Sequence, residues 1–215
     1  MPVQFKICGL KDGDAVRVAL EAGADFLGFV HFPASPRHVE LTHARHMAGL
    51  LPQHVASVCV VVDPDDALLA RVEQEFAPNY LQLHGKETVA RVAEIRTHYP
   101  NVKIIKAFRI RNSDDVAMAH AYAHVADMFL FDARAPEAPG MLPGGNGLAF
   151  DWELLKGRQF ARPWLLSGGL NAENVADAVR ITGASMVDVS SGVERGPGVK
   201  DASLIQAFAN AVKGL

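Results

Sequence analysis

The sequence predicts an α/β protein built as a (β/α)8 TIM barrel. Apolar, β-branched runs of strand length recur along the chain, amphipathic segments of helix length separate them, and no polar linker breaks the series. Near-continuous hydrophobicity of this kind marks strands covered on both faces, as in a parallel sheet. Eight runs share 215 residues, which allows each unit about 27, enough for strand, turn, helix and turn. The expected organisation is one barrel domain over residues 1–215. A doubly wound sheet is the rival, but it needs a reversal of strand order, and no G-x-G-x-x-G follows the first run.

The first run, Val3–Cys8, leads to a helix over Asp12–Ala22 that Gly23 ends. The second, Phe26–Phe32, enters a loop stiffened by Pro33 and Pro36. The third, Ala56–Val62, precedes a helix over Asp65–Phe76 that stops before Pro78. The fourth, Tyr80–His84, precedes a helix over Glu87–Tyr99 that stops before Pro100. Lys103–Phe108 and Met128–Asp132 are the fifth and sixth. Ala133–Gly147, rich in Pro and Gly, then separates the sixth run from a helix at Phe150–Lys156. A loop that long in a compact barrel is more often functional than idle. Trp164–Ser167 and Met186–Ser190 complete the set, and the last helical region opens at Pro197–Asp201.

Composition narrows the class. A chain 49% hydrophobic and 21% charged is not disordered, and two cysteines cannot staple it. The net charge of -3, with no basic run interleaved with aromatics, argues against a nucleic-acid partner. The longest apolar stretches, such as Val58 to Val62, fall far short of a membrane span, and the start lacks a signal-peptide layout. A cytoplasmic protein with no membrane partner is expected.

In such a barrel the strand C-terminal ends and the loops after them build the site. Cys8 closes the first strand and is either a small buried hydrophobe or a functional thiol, with Lys6 on the same strand face able to lower its pKa. Cys59, mid-strand, reads as inert core. Asp132 ends the sixth strand and either caps a turn or does chemistry. Asp188 falls inside the eighth strand, where a carboxylate must be paired or hydrogen-bonded, and a site role is favoured. Arg37, held by the loop that Pro33 and Pro36 stiffen, is either a carboxylate or phosphate ligand or a solvated arginine. His84 either orders the site or fills the barrel mouth. His43 with His46, and His120 with His124, have helical spacing but lack the Glu of H-E-x-x-H, so no metal site is expected.

Ser167-Gly168-Gly169-Leu170-Asn171 follows strand seven, and Asp188-Val189-Ser190-Ser191-Gly192 follows strand eight. Glycines admit an anion to backbone N–H groups, and helix N-termini add a favourable dipole. Together they point to a phosphorylated small-molecule ligand at the C-terminal ends of strands seven and eight.

These segments, in order, resemble the phosphoribosylanthranilate isomerase family of tryptophan biosynthesis. The matching pieces are Lys6-Ile7-Cys8-Gly9-Leu10, Gly28-Phe29-Val30 leading to Ser35-Pro36-Arg37, Leu81-Gln82-Leu83-His84-Gly85, Asp132, Gly144-Gly145-Asn146-Gly147 leading to Phe150-Asp151-Trp152, and the two segments after strands seven and eight. The resemblance implies an Amadori rearrangement of N-(5-phosphoribosyl)anthranilate to 1-(2-carboxyphenylamino)-1-deoxyribulose 5-phosphate, without metal or cofactor. It implies Asp132 as general acid on the ribose ring oxygen and Cys8 as general base at the sugar's second carbon. Arg37 is implied as ligand to the anthranilate carboxylate and Asp188 as a neighbour of the sugar hydroxyls, with His84 also counted among the substrate-binding residues. Backbone at Gly145, Gly147, Gly168, Gly169, Ser190 and Ser191 is implied for the phosphate. Two residues depart from the family's pattern: Asn146 stands where threonine is usual, and His31 where an apolar residue is usual, which bears on how the aromatic ring is held. The rivals are a histidine-pathway phosphosugar isomerase, or a bifunctional version, which uses two aspartates where this chain has Cys8, and a non-catalytic phosphate-binding barrel. A monomer or homodimer is expected.

Overall fold

The computed structural model describes residues 2–133 and 150–215. Eight parallel strands close into a barrel in chain order. They are β1 (Gln4–Cys8), β2 (Phe26–Val30), β3 (Ala56–Val61), β4 (Tyr80–Leu83), β5 (Lys103–Ile110), β6 (Met128–Ala133), β7 (Trp164–Leu166) and β8 (Met186–Val189). The outer layer comprises α1 (Gly13–Glu21), α2 (Leu41–Ala48), α3 (Asp66–Arg71), α4 (Val89–His98), α5 (Ser113–Ala117), α6 (Val175–Thr182) and α7 (Ala202–Lys213). The (β/α)8 barrel expected from the sequence is thus the fold. Among the described residues no helix is long and apolar enough to cross a membrane.

Side chains that alternate along each strand divide the apolar residues into two cores. Phe26, Val58, Val60, Ile105, Met128, Leu130, Leu165 and Met186 fill the barrel interior. Leu27, Phe29, Phe129, Phe131 and Val187 face the helices. Along β6 the inward positions run Met128, Leu130, Asp132, so the carboxylate is the next inward residue after two apolar ones. The same alternation puts Lys6 and Cys8 inward on β1, and Asp188 inward on β8.

Helix starts follow the capping logic of the sequence. Asp12, Asp65, Thr88 and Asp201 each accept a backbone N–H in the first turn of the helix they precede. Two helices differ from expectation. The one expected over Asp65–Phe76 is α-helical only to Arg71 and finishes as a π-turn, Val72–Phe76, which leaves Phe76 edge-on to Phe29 at 5.7 Å. The one expected at Phe150–Lys156 is a single 3₁₀ turn, Trp152–Leu155: Asp151 caps it, and Gly157 at φ 67° turns the chain away at once. Between β8 and α7 the chain forms a short antiparallel hairpin, β9 (Glu194–Gly196) with β10 (Val199–Lys200), which lays Glu194 and Lys200 beside the barrel mouth.

Candidate active site

A line of polar side chains crosses the C-terminal end of the barrel. Lys6 Nζ donates to Asp188 Oδ1 at 2.8 Å, with the ammonium wholly buried. Ser167 Oγ donates to the other carboxylate oxygen at 3.0 Å. Asp188 therefore has the partners that its burial demands, one from β1 and one from the end of β7. Residues 6 and 188 also face each other in the β1–β8 register.

Cys8 stands one inward position above Lys6 and is buried. Room for its sulfur comes from Gly28 on β2, where a Cβ would lie 2.9 Å from Sγ and 3.0 Å from Lys6 Cε. Ser190 Oγ donates to the Cys8 carbonyl at 3.1 Å, so the ends of β1 and β8 are tied beside the thiol. Burial pushes the Cys8 pKa up, Lys6 pulls it down, and Asp188 pushes it up again; the balance lies above the ordinary thiol value. Lys6 thus acts on Cys8 in the direction expected from the sequence, but it does not decide the balance. Asp188 partly cancels the lysine's field, and desolvation outweighs the remainder. Cys59 is buried among apolar side chains, where desolvation alone raises its pKa.

Asp132 is buried at the inward face of the β6 terminus, and its Oδ1 accepts the Ala133 N–H at 2.9 Å. Across β5, on β4, Gln82 and the residue after the strand, His84, are successive inward positions. Gln82 Nε2 lies 2.9 Å from His84 Nδ1. With that amide nitrogen donating, Nδ1 accepts and the imidazole carries its proton on Nε2. His84 Nε2 stands 3.3 Å from Asp132 Oδ2, close but not aligned for a hydrogen bond. The loop that carries His84 is anchored from outside the barrel by Lys106, which donates to the carbonyls of Leu83 and Gly85 and to Glu87.

Arg37 is buried rather than solvated, and it is bound within the protein. Its Nε and Nη2 donate to the two carboxylate oxygens of Glu194, both at 2.8 Å. Lys200 reaches the same carboxylate at 2.8 Å and the Ser190 carbonyl at 2.9 Å. Burial opposes the Glu194 charge, but Arg37 and Lys200 together hold its pKa below the ordinary carboxylate value. His31 lies on the outer side of β2, its Nδ1 3.0 Å from the Val39 carbonyl, and does not join the cluster inside the barrel.

Gly168 and Gly169 follow β7 with φ of 91° and 66°, a backbone that L side chains rarely adopt, and a Cβ on Gly168 would strike the Ala133 nitrogen at 2.7 Å. Ser190 and Ser191 open the turn after β8. Gly145, Gly147 and Asn146 lie outside the described residues, as does most of the Ala133–Gly147 loop. His43, His46, His120 and His124 are all exposed.

The sequence reading missed Gln82, Glu194 and Arg109. Gln82 was legible as a polar inward residue two places before His84. Arg109 is the inward residue after Ala107 on β5, paired in register with Asp132 and half-buried at the mouth. Glu194 gave no local signal, because its partner is 157 residues away.

The chain matches the family model for N-(5'-phosphoribosyl)anthranilate (PRA) isomerase over residues 5–211. It is 50% identical over 214 residues to the N-(5'-phosphoribosyl)anthranilate isomerase of Parvibaculum lavamentivorans, covering 99% of each chain. The phosphoribosyl anthranilate isomerase of Thermotoga maritima superposes with a TM-score of 0.87 at 35% identity, over 99% of this chain and 100% of that one. A phosphoribosyl anthranilate isomerase in complex with reduced 1-(o-carboxyphenylamino)-1-deoxyribulose 5-phosphate superposes at 0.84 with 34% identity, over 99% and 100%.

Proposed function

The chain belongs to the phosphoribosylanthranilate isomerase family, and from that premise we propose how its own residues carry out the Amadori rearrangement of tryptophan biosynthesis. The enzyme is an isomerase: N-(5-phosphoribosyl)anthranilate enters as a closed-ring glycosylamine and leaves as the 1-deoxyribulose ketoamine, with no atoms gained or lost.

Asp132 donates a proton to the ribose ring oxygen as the bond from that oxygen to the first carbon breaks. The anthranilate nitrogen supplies the electron pair, so the open-chain intermediate is an iminium. Its positive charge acidifies the proton on the second carbon, which Cys8 removes as thiolate, and the resulting enolamine tautomerises to the ketone. Acid and base steps of this kind are each worth roughly 10²–10⁴ in rate. His84, with its proton directed to Nε2 by Gln82, stands beside the Asp132 carboxyl and offers that N–H to the substrate. Backbone N–H groups at Gly168, Gly169, Ser190 and Ser191 hold the phosphate, with Gly145 and Gly147 from the loop after β6. Asp188 receives the sugar hydroxyls, and Arg37, fixed by Glu194, meets the anthranilate carboxylate. We expect the enzyme to act in the cytoplasm as a monomer or homodimer.

The observation that carries this reading is that Cys8 and Asp132 occupy inward positions at one rim of one barrel, on β1 and β6. Cys8→Ser and Asp132→Asn test it. Each variant should still bind the reduced product analogue while turnover falls by roughly 10²-fold or more. Unchanged turnover in either variant removes that residue from the mechanism.

A further inference from the structure

Two imidazoles and a carboxylate meet on the outer side of β2, apart from the proposed reaction centre. His31 Nδ1 lies 3.0 Å from the Val39 carbonyl. A carbonyl only accepts, so that nitrogen carries the proton and Nε2 keeps its lone pair. The chain returns beside β2 through a parallel bridge between Val30 and His38 and stays extended through Glu40. His38 and Glu40, two apart on extended backbone, share a side, and His38 Nε2 lies 3.1 Å from Glu40 Oε1. The His31 and His38 rings are 4.9 Å apart between centroids. One donor atom from each of the three residues lies within 4.8 Å of the others, and His38 Nδ1 is buried with no hydrogen-bond partner among the described residues.

We propose that His31, His38 and Glu40 bind a divalent transition-metal ion of the zinc type. Two imidazoles and a carboxylate are a zinc donor set. The Val39 carbonyl supplies the outer hydrogen bond that orients a ligating histidine. Metal–ligand bonds of about 2.0–2.2 Å in a tetrahedron place neighbouring donors roughly 3.3–3.6 Å apart, close to the His38–Glu40 separation of 3.1 Å. The opposing charge nearby is Arg71, and Glu75 already holds it at 2.7 Å. A bound ion would clamp residue 31 to residues 38 and 40, closing the base of the loop that carries Arg37 next to His38. The site takes no part in the isomerisation.

The test uses the full chain stripped with a chelator, titrated with Zn²⁺ by calorimetry and with Co²⁺ by visible absorption. Wild type should bind one equivalent, and Co²⁺ should show the intense bands of a tetrahedral site. Glu40→Gln, at an exposed position, and His38→Ala, at a half-buried one, should each weaken binding by roughly 10–100-fold and keep wild-type turnover. His31→Phe, which restores an apolar residue, should abolish it. The double variant His43→Ala/His46→Ala should bind as wild type does. The proposal fails if wild type binds no metal, if the first three variants bind as tightly as wild type, or if removing His43 and His46 abolishes binding.

Discussion

Removing the ammonium of Lys6 tests the charge arrangement under the thiol most directly. Lys6 and Asp188 are 2.8 Å apart with side chains 0% and 6% exposed, so neither charge has water to fall back on. Breaking a buried pair from one side leaves an uncompensated charge and costs about 3–5 kcal/mol. Lys6→Met should therefore lower the urea midpoint at unchanged m, and in a chain of this size should drop Tm by roughly 6–20 °C. Asp188→Asn should cost about as much, because it leaves the wholly buried Lys6 ammonium without its counter-charge even though Ser167 can still donate to the amide oxygen. The double variant removes both charges and should be no less stable than Lys6→Met alone, giving a coupling of about 3 kcal/mol. A second readout is Cys8 alkylation, which should slow in Lys6→Met because one of the cations that favour the thiolate is gone. Additive stability effects, agreeing within about 0.5 kcal/mol, would refute the reasoning that each charge needs the other.

Three further outcomes follow from the same geometry. Gly28→Ala drives a methyl against Cys8 Sγ and Lys6 Cε; it should cost about 1–3 kcal/mol and lower kcat with little change in KM, checked by steady-state kinetics and chemical denaturation. Gln82→Leu frees His84 to take either tautomer and should lower kcat by on the order of 10-fold, with analogue binding retained in calorimetry. The Glu194 carboxyl has a pKa held below the ordinary carboxylate value in the fold, because Arg37 and Lys200 together outweigh its burial. Its stabilising contribution is therefore complete above about pH 4.5 and is lost as pH falls through the folded value. Wild type should lose urea resistance steeply below that pH, and Glu194→Gln should be less stable at neutral pH with a shallower acid slope.

The strands were legible because both of their faces are buried: interior and helix-facing positions are alike apolar, so each run reads as continuous. The same pattern exposes the site, since a polar residue at an inward position near a strand's C-terminal end has nowhere to hide, and Cys8, Asp132, Asp188 and His84 all stand out. Which polar groups satisfy one another is not legible. Lys6 meets Asp188 across 182 residues and Arg37 meets Glu194 across 157, and no local window contains both partners. Arg37 in isolation therefore reads as a free guanidinium, and Lys6 as an uncancelled charge beside a thiol. Strand alternation does carry the orientation of His31. Two apolar neighbours of opposite facing, Phe29 outward and Val30 inward, already place residue 31 outside the barrel.

The two proposed proton-transfer groups are supported in different ways, and the difference matches the order in which they must act. Asp132 is approached by an imidazole whose Nδ1 is occupied by an amide, a support that carries no formal charge in that tautomer and stands ready before the ring opens. Cys8 sits where burial and Asp188 together outweigh the pull of Lys6 and Lys200, so before the reaction it is a thiol and not a base. The charge that changes during the reaction is the substrate's own: protonating the ring oxygen converts a neutral glycosylamine into an iminium beside the sulfur. At the interaction strengths of a partly dry site, one unit charge at 4 Å is worth about 4 kcal/mol at an effective dielectric of 20, or roughly three pKa units. A new cation of that size pulls the raised thiol back toward the ordinary range and favours loss of its proton. The base is thereby switched on by the product of the acid step, and a thiolate is not exposed to oxidation or alkylation while the barrel waits for substrate. Cys8 in the free enzyme should accordingly react slowly with iodoacetamide at neutral pH, at a rate that rises with pH beyond the ordinary thiol range; rapid alkylation with a midpoint below that range would show the base to be preformed, and the ordering would have to be abandoned.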